Sequence, residues 1–171
     1  MGLLLDEDMA VAWRGPMLFK AMNQLFFEVN WGDLDYLIID LPPGTGDVQL
    51  SMVQKVPVSA AISVCTPQNI ALADVKKSID MFERVNVPVL GVVENMSYIP
   101  HPDKEGEKIQ MFPKGDLNSY LDSKKLSLIA EIPMIHEIAM ACEIGIPYTA
   151  QKSADPVSEA YKLMAKNVLA Q

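Results

Sequence analysis

The stretch Tyr36-Leu-Ile-Ile-Asp-Leu-Pro-Pro-Gly-Thr-Gly-Asp47 constrains this chain more than any other part of it. Four apolar residues ending in Asp40 have the composition of a buried strand that delivers a carboxylate to a sheet edge. Pro42 and Pro43, followed by Gly44 and Gly46, then make a stiff loop whose backbone can approach a ligand closely. A carboxylate at the C-terminal end of a strand lies where open α/β sheets bind their ligands.

The rest of the chain alternates in the same manner. Gly2–Leu5 reads as a short apolar strand. Pro16 suits the first turn of a helix, and Leu18, Ala21, Met22, Leu25, Phe26 and Val29 keep a helical stripe. Tyr36–Asp40 is expected as a strand, Val48–Val56 as a short helix stopped before Pro57, and Val58–Cys65 as a second apolar strand. A helix over Asn69–Val85 would put Leu72, Val75, Ile79 and Phe82 on one face. Val87–Glu94 and Leu126–Ile132 are further strands, with helices over Met134–Ile144 and from Pro156 to about Leu169. Asp155 before Pro156 makes an N-cap and first-turn pair. Tyr98–Tyr120 holds three prolines and no sustained period, which suggests an exposed loop or small hairpin. Apolar strands alternating with amphipathic helices predict an α/β fold: a mostly parallel sheet with helices on both faces, in a single domain over 1–171.

Composition narrows the function. With 171 residues, half of them hydrophobic and 21% charged, the chain can bury a core. A net charge of −8 argues against a nucleic-acid surface, and Lys76-Lys77 and Lys124-Lys125 are too short to reverse that. No apolar run approaches the ~20 residues of a membrane span. The two cysteines, Cys65 and Cys142, lie far apart in apolar contexts, which fits a reduced, cytoplasmic setting.

Several residues carry chemistry. Asp40 with its loop has the layout of a Walker B strand running into a phosphate-sensing switch, so Asp40 is a candidate Mg2+ ligand acting through water. Gly44, Thr45 and Gly46 can present backbone N–H groups to a terminal phosphate, with Pro42 and Pro43 limiting the loop's conformations. Thr66, in Cys65-Thr-Pro-Gln68, is either a helix cap or a ligand contact. Asn95, after Glu94, is a turn residue or a reader of a base edge, since an amide offers an acceptor and a donor pair. His101 and His136 lack any metal-ligand spacing around them. Arg14 precedes a helix start, where anions bind. The Gly-rich Walker A pattern, G-x-x-x-x-G-K-S/T, does not occur in these residues.

Together, Trp13-Arg-Gly-Pro-Met17, Trp31 to Asp47, Thr66-Pro-Gln68, Val89-Leu-Gly-Val-Val-Glu-Asn-Met-Ser-Tyr98 and Glu131-Ile-Pro133 closely resemble the Mrp/ApbC family over nearly the whole chain. These are P-loop ATPases of the MinD/ParA type, regarded as iron–sulfur cluster carriers. The resemblance implies ATP and Mg2+ as ligands and a 4Fe-4S cluster as cargo. It makes Asp40 the Walker B residue, Gly44 the switch-loop phosphate contact with Pro43 and Thr45 beside it, Asn95 the adenine reader, and Pro133 part of the segment packing near the base. It also implies recipient proteins and assembly as a homodimer or with a partner subunit.

Two departures shape the expectation. Family members begin well upstream with the Walker A loop and switch I, so the chain is expected to be a C-terminal portion of a longer ATPase, missing the first βα unit, or to need a partner strand. Alone it should be oligomeric, aggregation-prone or rearranged, and should not hydrolyse ATP at a useful rate. Family members also commonly carry Cys-x-x-Cys after Glu-Asn-Met-Ser-Tyr, where His101 and Lys104 stand here. An imidazole and an ammonium do not replace a thiolate pair. A MinD/ParA-like positioning ATPase without a cluster, and a non-catalytic binding module, are therefore the competing expectations.

Overall fold

The structure, a computed structural model, describes residues 15–41, 44–104, 106–152 and 154–170. It falls into two compact units, Met1–Pro57 and Val58–Gln171. The expected strand at Gly2–Leu5, together with Arg14, Pro42 and Pro43, lies outside the described residues.

In the first unit the described residues form helix α1 (Gly15–Phe27) and helix α2 (Asp47–Lys55). Met22 of α1 and Met52 and Val53 of α2 are buried, and the Lys55 ammonium stands 3.9 Å above the Phe19 ring. The helical stripe runs one turn short of the sequence expectation. α1 ends at Phe27, the Trp31 indole N–H donates to the freed Leu25 carbonyl, and Val29 is exposed.

The expected strand Tyr36–Asp40 is not a strand. The segment has no assigned helix or strand, and Tyr36, Leu37 and Ile38 are exposed, Ile38 to 93%. Apolar composition suits a residue to a sheet, but strand structure requires a neighbour to complete the hydrogen-bond ladder. Among the described residues none pairs with this segment.

The second unit carries the core. Strands β1 (Ala61–Cys65), β2 (Val89–Glu94) and β5 (Ser127–Glu131) form a parallel sheet in the order β1-β2-β5. Helix α3 (Asn69–Arg84) connects β1 to β2. Its stripe Leu72, Val75, Ile79 and Phe82 is buried as its spacing requires, and the first three pack with Cys65 and Val92 of the sheet. Between β2 and β5 lie a hairpin, β3 (Ile99–Pro100) antiparallel to β4 (Lys108–Ile109), and helix α4 (Leu117–Lys124). The hairpin matches one of the two forms expected there. The helix was not expected; its Leu117 and Leu121 complete the core under α3. Helices α5 (His136–Glu143), α6 (Tyr148–Gln151) and α7 (Pro156–Leu169) follow. Ala160, Tyr161, Met164 and Val168 of α7 pack on Val93, Ile129, Ala130 and Ile132, a separate cluster from the one under α3.

Two glycines fix how closely these layers meet. At Gly91, φ is +149° and a β-carbon would run into the Ser127 carbonyl of β5, so β2 and β5 can pair here only without a side chain. At Gly115 a β-carbon would strike the Asn69 side chain and lie 3.0 Å from the Asn69 backbone nitrogen.

Candidate functional site

In the first unit, Asp40 is exposed, at the end of the apolar run Tyr36–Ile39. Gly44 has φ +97°, a conformation that a side chain would strain. Gly44, Thr45 and Gly46 are all exposed and lead directly into α2. Gly46 is the N-cap of that helix, and no side chain caps it. A glycine at the N-cap offers no side-chain acceptor of its own to the first-turn N–H groups, and the Gln49 side chain lies against it, its Oε1 3.3 Å from where a β-carbon on Gly46 would stand. Pro43, expected beside them, lies outside the described residues.

In the second unit, Asn95 and Pro133 are brought close at the C-terminal ends of β2 and β5. The Asn95 N–H donates to the Cys65 carbonyl at 2.7 Å, tying the turn to the end of β1. The Ile132 N–H donates to the Glu94 carbonyl at 2.8 Å, and the Ser97 N–H to the Ile132 carbonyl at 2.9 Å. Asn95 is therefore clamped between both neighbouring strands. Its side-chain oxygen accepts the Met96 N–H at 2.9 Å, and Met96 adopts φ +52° to permit it. Asn95 is half-buried and Pro133 buried.

Beneath this turn lies a charged cluster that sequence reasoning passed over. Glu94 is 4% exposed, and the fully buried Ser97 hydroxyl donates to its Oε2. Lys114 Nζ is 2.9 Å from Glu131 Oε1 and 3.5 Å from Glu94 Oε2, and Lys108 Nζ is 2.6 Å from Glu131 Oε2. Burial raises the Glu131 carboxyl pKa, but hydrogen bonds from Lys108 and Lys114 outweigh it and hold the group below its ordinary range. The same pairing with Glu131 is the largest influence on Lys114 and keeps its ammonium protonated above the usual lysine range.

The remaining candidates do other work. Burial, and then the charge of Glu94, push the Cys65 thiol up to about 11, so it is a neutral core group at pH 7. Cys142 is free and exposed. His101 Nδ1 accepts the Asp103 N–H at 3.1 Å inside the hairpin, and His136 opens α5 at the surface. Among the described residues, no group of three or more His, Cys, Asp or Glu could hold a metal ion.

A parallel sheet with strand-end turns and a glycine-led helix start belongs to the P-loop NTPase class, and solved structures agree. The MinD cell division ATPase of Pyrococcus furiosus superposes with a TM-score of 0.63 at 20% identity, over 94% of this chain and 63% of that one. A nucleotide-binding protein of Archaeoglobus fulgidus, solved in complex with ADP, gives 0.66 at 38% identity, over 75% and 52%. The family described as ParA, the NUBPL iron-transfer P-loop NTPase, matches residues 1–169, and this chain belongs to it. Its relatives include the iron-sulfur cluster carrier protein of Aquifex aeolicus, 43% identical over 96% of this chain and 45% of that protein. The iron-sulfur cluster transfer protein NUBPL of Mus musculus is 40% identical over 99% and 53%. The chain thus spans about half the length of the curated relatives it matches.

Proposed function

We propose that this chain is the switch-and-base portion of a nucleotide-dependent carrier of iron–sulfur clusters. The ligand in this reading is ATP. Asp40 holds Mg2+, Gly44 and Thr45 contact the terminal phosphate with Pro43 stiffening the loop, Asn95 reads the adenine, and Pro133 packs near it. The observation that carries the reading is the exposed Gly44–Gly46 turn, with Gly44 at φ +97°, which leads into α2 four residues after Asp40 in the sequence. The relatives' names as cluster carriers, and the ADP complex of the Archaeoglobus fulgidus protein, support it.

The donor set at Asp40 fits magnesium, which prefers hard oxygen ligands and keeps most of its waters. When bound, the ion would neutralise phosphate charge. Phosphoryl transfer depends on positioning and on a phosphate-gripping lysine, and these residues contain no lysine-bearing Gly-rich loop. Hydrolysis is therefore assigned only to an assembly that supplies one. The cluster is cargo. His101 and Lys104 occupy the hairpin position and do not fit thiolate ligation, so cluster ligands come from outside that hairpin. A second copy or partner subunit, recipient proteins and a cytoplasmic setting complete the reading.

Anaerobic reconstitution with ferrous iron and sulfide, followed by absorbance and by transfer to an apo-ferredoxin, tests it. In an assembly that supplies the phosphate-gripping loop, MgATP should accelerate transfer, and Asp40→Ala should remove that acceleration. Nucleotide binding with no cluster loading would move the chain to the positioning ATPases.

A further inference from the structure

The cluster beneath Asn95 joins segments that are separate in sequence. Glu94 and Ser97 belong to the end of β2 and its turn, Glu131 to β5, Lys108 to hairpin strand β4, and Lys114 to the loop before α4. The backbone at the foot of Lys114 is pinned as well. The Gly115 N–H donates to the Pro67 carbonyl at 2.8 Å, and the Asp116 N–H to Asn69 Oδ1 at 2.8 Å. From that fixed point the Lys114 side chain reaches both carboxylates. Lys108 also stands 4.2 Å above the Tyr98 ring, in the residue that leads from the turn into the hairpin.

A carboxylate as buried as that of Glu94 is costly unless it is paired. Among the described residues Lys114 is the ammonium within ion-pair distance of it. Lys114 thus cannot shift without stranding Glu94, Glu94 cannot move without dragging the Ser97 bond and the Asn95 turn, and the hairpin joins them through the Lys108–Glu131 pair. Two carboxylates and two ammonium groups balance, so the cluster is locked by geometry and attracts no net counter-charge.

We propose that this cluster is a positioning relay that makes the β3–β4 hairpin and the Asn95 turn one unit, with Lys114 and Lys108 as its positioning residues. A ligand that orders the turn then orders the hairpin, and a partner that grips the hairpin reorients the Asn95 amide. The regulatory part of this proposal rests on the reading that Asn95 faces a nucleotide base; the coupling itself does not.

Residue-resolved hydrogen exchange on the chain tests both. Lys114→Met should speed exchange roughly tenfold at the Asn95 and Ser97 amides and at the hairpin amides of His101 and Glu107. Lys114→Arg should restore all four, and the Val157 and Ser158 amides at the start of α7 should stay at wild-type rates in both variants. Acceleration confined to the hairpin, or spread equally to α7, would overturn the relay. If Lys114→Met does not fold, Lys108→Met decides: its exposed side chain touches Glu131, and acceleration at Ser97 supports the relay while no change there refutes it. With the chain extended by the upstream half of a relative that supplies the phosphate-gripping loop, adding ADP at millimolar concentration should slow exchange at His101 and Glu107 in the wild type but not in Lys114→Met. Protection of the turn without the hairpin would contradict the coupling. Protection of neither in the extended protein, under conditions where calorimetry shows ADP bound, would refute the base-facing role of Asn95, while the variants judge the relay.

Discussion

Asn69, the first residue of α3, accepts the Asp116 N–H at 2.8 Å, and its side chain fills the space where a β-carbon on Gly115 would go. Two loops at the C-terminal edge of the sheet are thereby held at a fixed separation. Gly115→Ala should destabilise the chain by about 1–3 kcal/mol, the ordinary cost of overpacking. Asn69→Ala should cost about 1 kcal/mol by orphaning one donor. The double variant should be less destabilised than the sum, because removing the Asn69 side chain makes room for the new methyl. Urea midpoints of the three proteins check this; strict additivity would mean the contact is not shared.

At Gly91 the obstacle is the backbone carbonyl of Ser127, which cannot swing away as a side chain can. Gly91→Ala should therefore cost more than Gly115→Ala, about 3 kcal/mol or above. Thermal unfolding ranks the pair, and a milder effect at Gly91 would show that β2 and β5 tolerate a wider spacing.

Much of the second unit was legible in the sequence. The Leu72, Val75, Ile79 and Phe82 stripe and the Asp155-Pro156 helix start are local patterns, and local patterns determine helices directly. Helix α4 carried a readable signal too, Leu117 and Leu121 four apart behind Asp116, but the prolines upstream hid it. Tyr36–Asp40 went the other way. Its apolar run shows what the segment could pair with, but pairing is non-local and the described residues supply no partner. The glycine turn and Asn95 were legible as motifs. The Lys108, Lys114, Glu94 and Glu131 cluster was not, because Lys114 and Lys108 meet Glu131 across 17 and 23 residues and the β2–β5 register sets Glu94 beside Glu131.

Asp155 caps α7 by accepting the Val157 N–H at 3.0 Å and the Ser158 N–H at 3.4 Å, with the Tyr148 hydroxyl donating at 3.1 Å. Burial raises its pKa, but these hydrogen bonds outweigh that and leave it below the ordinary 3.8, as Lys108 and Lys114 leave Glu131 below 4.5. A carboxylate depressed on folding contributes stability that is present above its unfolded value and lost as pH falls through its folded value. Asp155→Ala should cost about 1 kcal/mol near neutral pH. The loss should shrink at pH values below both figures, where the wild type is itself destabilised. Equilibrium unfolding against pH reads this out; a penalty for Asp155→Ala that grew towards acid would have the wrong sign.

The two thiols should differ sharply in reactivity. Cys142 is exposed, whereas Cys65 is buried with its pKa pushed up to about 11. Iodoacetamide on the native chain at neutral pH should label Cys142 alone, with Cys65 following only in denaturant, as peptide mass spectrometry would show. Equal labelling of both would mean β1 is open to solvent.

The claim at the centre of this account is that tight nucleotide binding by these residues needs a phosphate-gripping loop that they do not contain. Calorimetric titration with MgATP tests it most directly, on the chain alone and on the chain preceded by the upstream half of its Aquifex aeolicus relative. The chain alone should show no binding tighter than roughly millimolar, while the extended protein binds in the micromolar range, a gain of about 4 kcal/mol. Tight binding by the chain alone, or no binding by the extended protein, would contradict it.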